Sequence, residues 1–151
     1  MSAPPSPPLS ILHLTSEGGE AGSTVSIALP FRRDVRPYYE WFDVVALPAR
    51  HEGLSQALLE AMALGKAVVT TDAGGNTDLI TTGEHGLLVP PRSPAAFGAA
   101  LARLLAEPAV RARLGASARR HVRASFTIDR TLAATEAVYR EAVARRAGGS
   151  R

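Results

Sequence analysis

The chain has 151 residues, of which 46% are hydrophobic and 21% are charged, and its formal net charge is +3. These values predict a single globular domain with a core of its own. The absence of cysteine excludes disulfides and thiolate metal sites, and an aromatic content of 5% is too low for a row of exposed rings that stacks bases. We therefore expect no nucleic-acid partner. Because no apolar run is long enough to span a membrane and the N-terminus does not have the pattern of a secretion signal, we expect a cytoplasmic protein.

Arginine supplies almost all of the positive charge, because Lys66 is the only lysine. Much of the excess lies in the C-terminal part of the chain, at Arg111, Arg113, Arg119, Arg120, Arg123, Arg130, Arg140, Arg145, Arg146 and Arg151. Solvated helix faces are the simpler interpretation of this spacing. The alternative is contact with a phosphorylated ligand or with anionic lipid, which would make the protein peripheral to the inner face of the membrane.

The N-terminal part has the least regular pattern. Residues 1–8 contain four prolines and two serines, a composition that predicts a disordered tail. Residues 9–14 are apolar enough for a short buried strand. A glycine-rich turn at residues 16–22 follows, and it includes Gly18 and Gly19.

Strand-like and helix-like segments alternate from residue 35 onward. Strands are predicted at residues 43–47, 67–71 and 86–89, and helices at 36–42, 55–64, 76–80, 94–106 and 108–125, with a last helix after Thr127. Gly65 is expected to end the second of these helices in a left-handed conformation, and Ser93 and Thr127 to cap two others. This alternation predicts an α/β fold, a Rossmann-like parallel sheet with flanking helices.

Two carboxylates, Glu52 and Glu60, enclose the turn between the first of these strands and its helix. Ligands of open α/β sheets bind where a strand gives way to a helix, and the amides of Gly53, Leu54 and Ser55 lie at that point. Ionised carboxylates accept hydrogen bonds only, so the pair suits a ligand rich in hydroxyl groups. The eight-residue separation puts both on one broad face of the helix.

Structural roles for the same carboxylates remain open at this point. Glu52 could serve only as an acid that favours the positive end of the helix dipole. Glu60 is flanked by apolar residues, so we expect it to be partly buried, with Lys66 or Arg50 as a structural partner.

The segments around these glutamates resemble, in order, the donor-binding domain of family 4 (group 1) retaining glycosyltransferases, which have the two-domain GT-B fold. The family motif is a strand that ends in Pro-Ser-Arg, followed by two glutamates separated by seven residues. Residues 43–52 match it with Ala49 in place of serine. The matching segments are Asp43-Val-Val-Ala-Leu-Pro-Ala-Arg-His-Glu52, Glu60-Ala-Met-Ala-Leu-Gly-Lys-Ala-Val-Val69, Thr71-Asp-Ala-Gly-Gly75, Gly86-Leu-Leu-Val-Pro-Pro91 and Arg111-Ala-Arg-Leu-Gly115.

The resemblance implies a role for each site residue. Glu60 corresponds to the glutamate that binds the ribose of the nucleotide, and Glu52 to the catalytic-site glutamate near the donor sugar. Gly53, Leu54 and Ser55 stand where the family usually has Gly-Phe-Gly, whose amides approach the sugar and the diphosphate. Gly18 and Gly19 correspond to a turn that meets donor phosphate, although a plain flexible loop is the simpler interpretation. The implied reaction needs no cofactor, and the sequence indicates no metal site.

The same comparison implies a division of the chain. Residues 1–8 are the tail, 9–34 a remnant of the N-terminal acceptor domain, 35–126 a partial donor domain, and 127–151 the C-terminal helix and its tail. The chain thus resembles a truncated or internally deleted glycosyltransferase with little activity alone. Its expected partners are a nucleotide-sugar donor and a glycan or lipid-linked acceptor. A non-catalytic α/β remnant or interaction module is the alternative; a sugar-nucleotide epimerase is a weaker one.

The last helix has an apolar stripe from Ile128 to Val143. In the family, the corresponding segment crosses to the acceptor domain. Here the stripe must pack on the local sheet, associate with a second copy or remain partly exposed.

Overall fold

The computed structural model describes residues 11–13, 34, 36–50 and 53–148. Four strands form one parallel sheet in the order β1-β2-β3-β4, where β1 is Ile11–His13, β2 Val44–Leu47, β3 Ala67–Thr71 and β4 Leu87–Val89. Within the described residues, six helices accompany the four strands: α1 Arg36–Trp41, α2 Gln56–Ala63, α3 Asn76–Leu79, α4 Pro94–Ala106, α5 Pro108–Ser125 and α6 Ile128–Gly148. The predicted α/β class is confirmed, and the elements lie at the expected positions.

The two faces of the sheet bury different helices. Alternate residues of a strand point to opposite faces, and Val45, Leu47 and Val68 pack with α1, α2, α3 and the later part of α5. Val44 and Val69 pack with α4 and with Leu114 of α5 on the other face. Both faces of β2 and β3 are therefore fully buried, as expected for the inner strands of a doubly wound sheet.

Local signals place most helix ends correctly. Gly65 has a φ of 76°, the left-handed conformation that glycine adopts without cost, directly after α2. The hydroxyl of Thr127 accepts a hydrogen bond from the Arg130 amide at 3.3 Å, so Thr127 caps α6 as predicted. Ser93 is at the N-cap position of α4, but its side chain makes no capping hydrogen bond, so that part of the prediction is wrong. Pro94 at the first helical position already fixes the backbone there.

Some predictions concern residues outside the described ranges. They are the tail at residues 1–8, the turn with Gly18 and Gly19, and the site residue Glu52. Strand β1 lies in the segment 9–34, for which the sequence predicts a remnant of the N-terminal acceptor domain. In the structure this strand pairs with β2 in the same sheet. The division at residue 34 stays a prediction about ancestry. Within the described ranges, none of the helices combines the length and the apolarity that crossing a membrane would require.

Candidate functional site

A buried polar network fixes the carboxyl ends of β2 and β3. The Thr70 hydroxyl donates to the Leu47 carbonyl at 2.7 Å, and the Thr71 hydroxyl donates to the Ala49 carbonyl while it accepts from the Ala49 amide. Asn76 Nδ2 donates to the Thr70 hydroxyl and to the Thr71 carbonyl, both at 3.1 Å. Buried groups that are paired in this way hold the backbone in one geometry. The network thus fixes the backbone at the end of β2 as far as Ala49.

Gly75 lets the loops after β2 and β3 touch. A Cβ atom at Gly75 would lie 2.7 Å from the Gly53 carbonyl oxygen and 3.0 Å from the Leu54 nitrogen, so only glycine fits. A Cβ atom at Gly53 would meet no atom of the described residues within 4 Å. The loop containing residues 53–55 therefore packs against Gly75. Beside the Cα atom of Gly53 there is open space that a ligand could enter.

Ser55 forms the N-cap of α2 rather than its first helical residue. Its hydroxyl accepts a hydrogen bond from the Leu58 amide at 3.4 Å, and the side chain is buried. The serine side chain thus folds back onto the helix instead of projecting into the open space beside Gly53.

The amides just before α2 have no hydrogen-bond partner among the described residues. Among the described residues, no acceptor takes a hydrogen bond from the backbone N–H of Gly53, Leu54 or Ser55. Unpaired amides at a helix N-terminus, together with the positive end of the helix dipole, favour an anion. The chemistry of this turn therefore suits an anionic group such as a phosphate.

Glu60 is exposed on α2, and the expectation of partial burial is wrong. Its carboxylate has neither Lys66 nor Arg50 as a partner. The Tyr39 hydroxyl shares its hydrogen between the Ala57 carbonyl at 3.1 Å and Glu60 Oε2 at 3.3 Å, while Lys66 Nζ donates to the Glu40 carbonyl at 3.1 Å. Glu60 is exposed because its neighbours Ala61 and Met62 turn inward to the core and leave it at the helix surface.

Tyr39 orients Glu60 from the adjacent helix. The Tyr39 ring is 4% exposed, and burial, followed by the negative charge of Glu60, raises the pKa of its phenol far above the usual value. The hydroxyl therefore stays protonated and acts as a donor. One carboxylate oxygen of Glu60 is held by the protein, and the exposed group retains acceptor capacity for a ligand hydroxyl.

The structure brings four of the predicted site residues together. Gly53, Leu54, Ser55 and Glu60 lie on the loop and helix that follow β2, whereas Glu52, Gly18 and Gly19 lie outside the described residues. Sequence reasoning missed Tyr39 and the network of Thr70, Thr71 and Asn76. The polar residues at the end of β3 were a signal for that network, but Tyr39 is 21 residues from Glu60 and had no local signal. Within the described ranges, no three His, Asp or Glu side chains are grouped as a metal site requires.

Comparison with known proteins places this geometry in a family. The family model described as "Glycosyl transferases group 1" matches residues 13–107. The chain is 41% identical over 106 residues to the lipopolysaccharide core biosynthesis mannosyltransferase LpcC of Rhizobium leguminosarum bv. viciae. That alignment covers 70% of this chain and 30% of the mannosyltransferase.

Solved structures agree with the sequence comparison. Sucrose-phosphate synthase from Thermosynechococcus elongatus superposes with a TM-score of 0.67 and 32% identity, over 74% of this chain and 28% of the other. HepE from Anabaena, solved in complex with UDP-glucose, superposes with a TM-score of 0.67 and 26% identity, over 73% of this chain and 31% of HepE. The chain thus spans about a third or less of the length of these relatives. It belongs to the group 1 family of glycosyltransferases and has a GT-B type Rossmann-like fold.

Proposed function

We propose that this chain binds a nucleotide-sugar at the start of α2 and contributes the donor half-site of a glycosyltransferase. The observation that carries the proposal is the combination of unpaired amides at residues 53–55 with Glu60 on the same helix. The amides suit the diphosphate, and the Glu60 carboxylate suits the ribose hydroxyls. A ligand with both groups, separated by a few bonds, is a nucleoside diphosphate ester.

The proposed reaction transfers the glycosyl group with retention, as in the family 4 enzymes that the motifs resemble. The bond between the anomeric carbon and the diphosphate oxygen breaks, and a bond to an acceptor hydroxyl oxygen forms on the same face of the sugar. The acceptor proton leaves with the diphosphate or with solvent. The α2 amides would stabilise the charge that develops on the departing diphosphate, and Glu52 would lie beside the donor sugar. No metal or cofactor is required by this proposal.

The names of the relatives support a nucleotide-sugar donor but give no single sugar. HepE was solved with UDP-glucose, whereas the Rhizobium relative is a mannosyltransferase. For this chain we therefore propose the class of donor only, with a glycan or lipid-linked acceptor. We also propose a cytoplasmic location, where nucleotide-sugars are made, with arginine-rich helix faces available for contact with an anionic membrane surface.

We expect the isolated chain to bind its donor weakly. A chain that spans 30% of a relative supplies only part of the contacts that a complete donor site makes. The expected dissociation constant is no better than about 1 mM, equivalent to about −4 kcal/mol. We also propose that this chain, as a truncated form, has little transferase activity alone.

Calorimetric titration with UDP-, GDP- and ADP-sugars tests the proposal. Glu60→Ala should remove most of the binding to the preferred donor. Glu136→Ala, which removes an exposed carboxylate paired with Arg140 on α6, is the matched control and should leave it unchanged. Absence of binding by the unaltered chain, or equal binding by Glu60→Ala, would favour a non-catalytic remnant or interaction module instead.

A further inference from the structure

A cavity opens at the carboxyl ends of the strands, on the opposite face of the sheet from α2. It has a volume of about 580 Å³ and lies between the β2 and β3 ends and the start of α4. Its described lining consists of Pro48, Ala49, Arg50, Thr71, Arg92, Ser93, Pro94, Phe97 and Gly98. Phe97 packs with the α4 side of the core, whereas Glu60 lies on α2 across the sheet. Of the donor half-site residues that the structure describes, Gly53, Leu54, Ser55 and Glu60, none lines this cavity.

Two arginines, Arg50 and Arg92, give this cavity a positive charge that no described residue neutralises. The guanidinium groups of Arg50 and Arg92 make no hydrogen bond or ion pair within the described part of the chain. None of the described lining residues is acidic. Like charges that share one cavity repel each other, and an anion between them removes that repulsion.

The remaining polar groups of the cavity restrict the chemical class of ligand that it can bind. The Thr71 hydroxyl is already engaged with the Ala49 backbone, so it cannot donate to a ligand. The Ser93 side chain is not used to cap α4, which leaves it and the first-turn amides of that helix beside the two arginines. These groups are all donors, and guanidinium forks match the oxygens of phosphate in particular.

The size and walls of the cavity indicate more than a bare phosphate ion. Small-molecule sites commonly have volumes of roughly 300–1,000 Å³, and a phosphate alone would leave most of this space empty. Pro48, Pro94 and Phe97 form an apolar wall against which a ring can lie. We propose that this cavity binds a phosphate monoester whose organic part is a ring, with the phosphate held by Arg50 and Arg92.

Titration with glucose 6-phosphate tests this site, with glucose and inorganic phosphate as companion probes. Backbone amide shifts in NMR spectra should change at residues 92–97 with glucose 6-phosphate, less with phosphate and not with glucose. Arg92→Gly should weaken the binding about fivefold, the range of one partly solvated ion pair. Arg92 has a φ of 57°, which favours glycine, so this variant should fold. The charge control is Arg120→Ala, at an exposed position of α5, because glycine there would weaken the helix; this variant should bind normally.

A second pair of variants tests the cavity without changing charge. Gly98→Leu should project a side chain into it and abolish binding, since a Cβ atom there meets nothing within 4 Å. Ala99→Leu, at an exposed neighbouring position of α4, should bind as the unaltered chain does. Equal affinity in Arg92→Gly and Arg120→Ala would overturn the proposal. Loss of binding in Glu60→Ala but not in Arg92→Gly would also overturn it, because the ester would then occupy the donor half-site, whose own test with nucleotide-sugars stands independently.

Discussion

Helices α5 and α6 follow each other in the chain and are both rich in arginine, but only α5 is part of the core. Leu114, Gly115, Ala118 and Val122 of α5 are buried against α2, α4 and the sheet. On α6, the apolar side chains are 60% to 70% exposed: Ile128, Leu132, Val138, Tyr139 and Val143. An amphipathic pattern therefore predicts a helix in both cases, but it predicts packing only where the fold provides a surface.

A contact between two glycines explains how α5 approaches the turn after α2 so closely. A Cβ atom at Gly115 would lie 2.1 Å from the Gly65 carbonyl oxygen, so the backbone of α5 rests directly on the turn after α2. Phe126 ends α5, packs against the core and contacts the His121 ring edge-on. Beyond Phe126 no residue of α6 is buried in the described part of that helix. The core thus ends at the junction of the two helices.

The largest expected difference in the free energy of unfolding is between leucine-to-alanine substitutions on α5 and on α6. Leu114→Ala should lower the free energy of unfolding by about 2–5 kcal/mol, because Leu114 is fully buried and its loss leaves a cavity. Leu132→Ala should change it by less than about 0.5 kcal/mol, since that side chain is 60% exposed. Urea unfolding followed by circular dichroism measures both. Equal losses would show that α6 is packed in solution.

Substitution of Gly115 at its contact with the Gly65 turn should give the next largest change in the free energy of unfolding. Gly115→Ala should cost about 1–3 kcal/mol in the free energy of unfolding, since the methyl group forces α5 away from the Gly65 turn. Gly98→Ala is the matched control within a helix, and it should stabilise the protein by up to about 1 kcal/mol because its Cβ position is open. If Gly115→Ala is as stable as Gly98→Ala in urea, α5 does not make this backbone contact.

The exposed stripe of α6 should bind a second copy of the chain weakly. The apolar side chains of the stripe are 60% to 70% exposed, and pairing with the stripe of a second copy would remove them from water. Sedimentation velocity should show an average mass that rises with protein concentration. Leu132→Glu should weaken this association by about tenfold, as expected when a charge replaces a buried apolar side chain at an interface. Ala133 is exposed on the same helix, and Ala133→Glu should weaken the association less. A monomer at every concentration would contradict this prediction.

The smallest expected effect is a pH dependence of stability, and it involves α5, through His121, rather than α6, which has no histidine. The rings of His85 and His121 stack with centroids 3.9 Å apart. Burial, and then the nearby charge of His121, lower the pKa of His85, although Glu84 opposes the shift. The unfolded chain therefore binds more protons at this position, and stability should fall as the pH decreases below about 6.5.

His85→Gln should reduce this pH dependence. The measurement is the urea midpoint at pH 7.5 and at pH 5.5, in which the unaltered chain should lose more stability than the variant. Hydrogen exchange in α6 should be the same at both pH values once the intrinsic exchange rate is taken into account. A variant that loses as much stability as the unaltered chain would show that the histidine stack is not the cause.

Most of the fold could be predicted because its signals are local. The alternation of strands and helices, the left-handed Gly65 and the Thr127 cap depend on residues close in sequence. The Tyr39–Glu60 contact, the Thr71–Ala49 pairing and the Gly115–Gly65 approach join residues that are 21, 22 and 50 positions apart. Contacts at that separation depend on how the elements pack, which no local pattern encodes. For the same reason the exposure of Glu60 was predicted wrongly.

The donor half-site at the start of α2 is the central claim, and amide NMR with UDP-glucose tests it most directly. Addition of the nucleotide-sugar should shift the backbone amides of residues 53–55 and of Gly75, and these shifts should be lost in Glu60→Ala but retained in Glu136→Ala. Saturation should require millimolar ligand, about −4 kcal/mol. Amides at residues 53–55 that do not move with UDP-, GDP- or ADP-sugars, or shifts confined to α6, would contradict the claim.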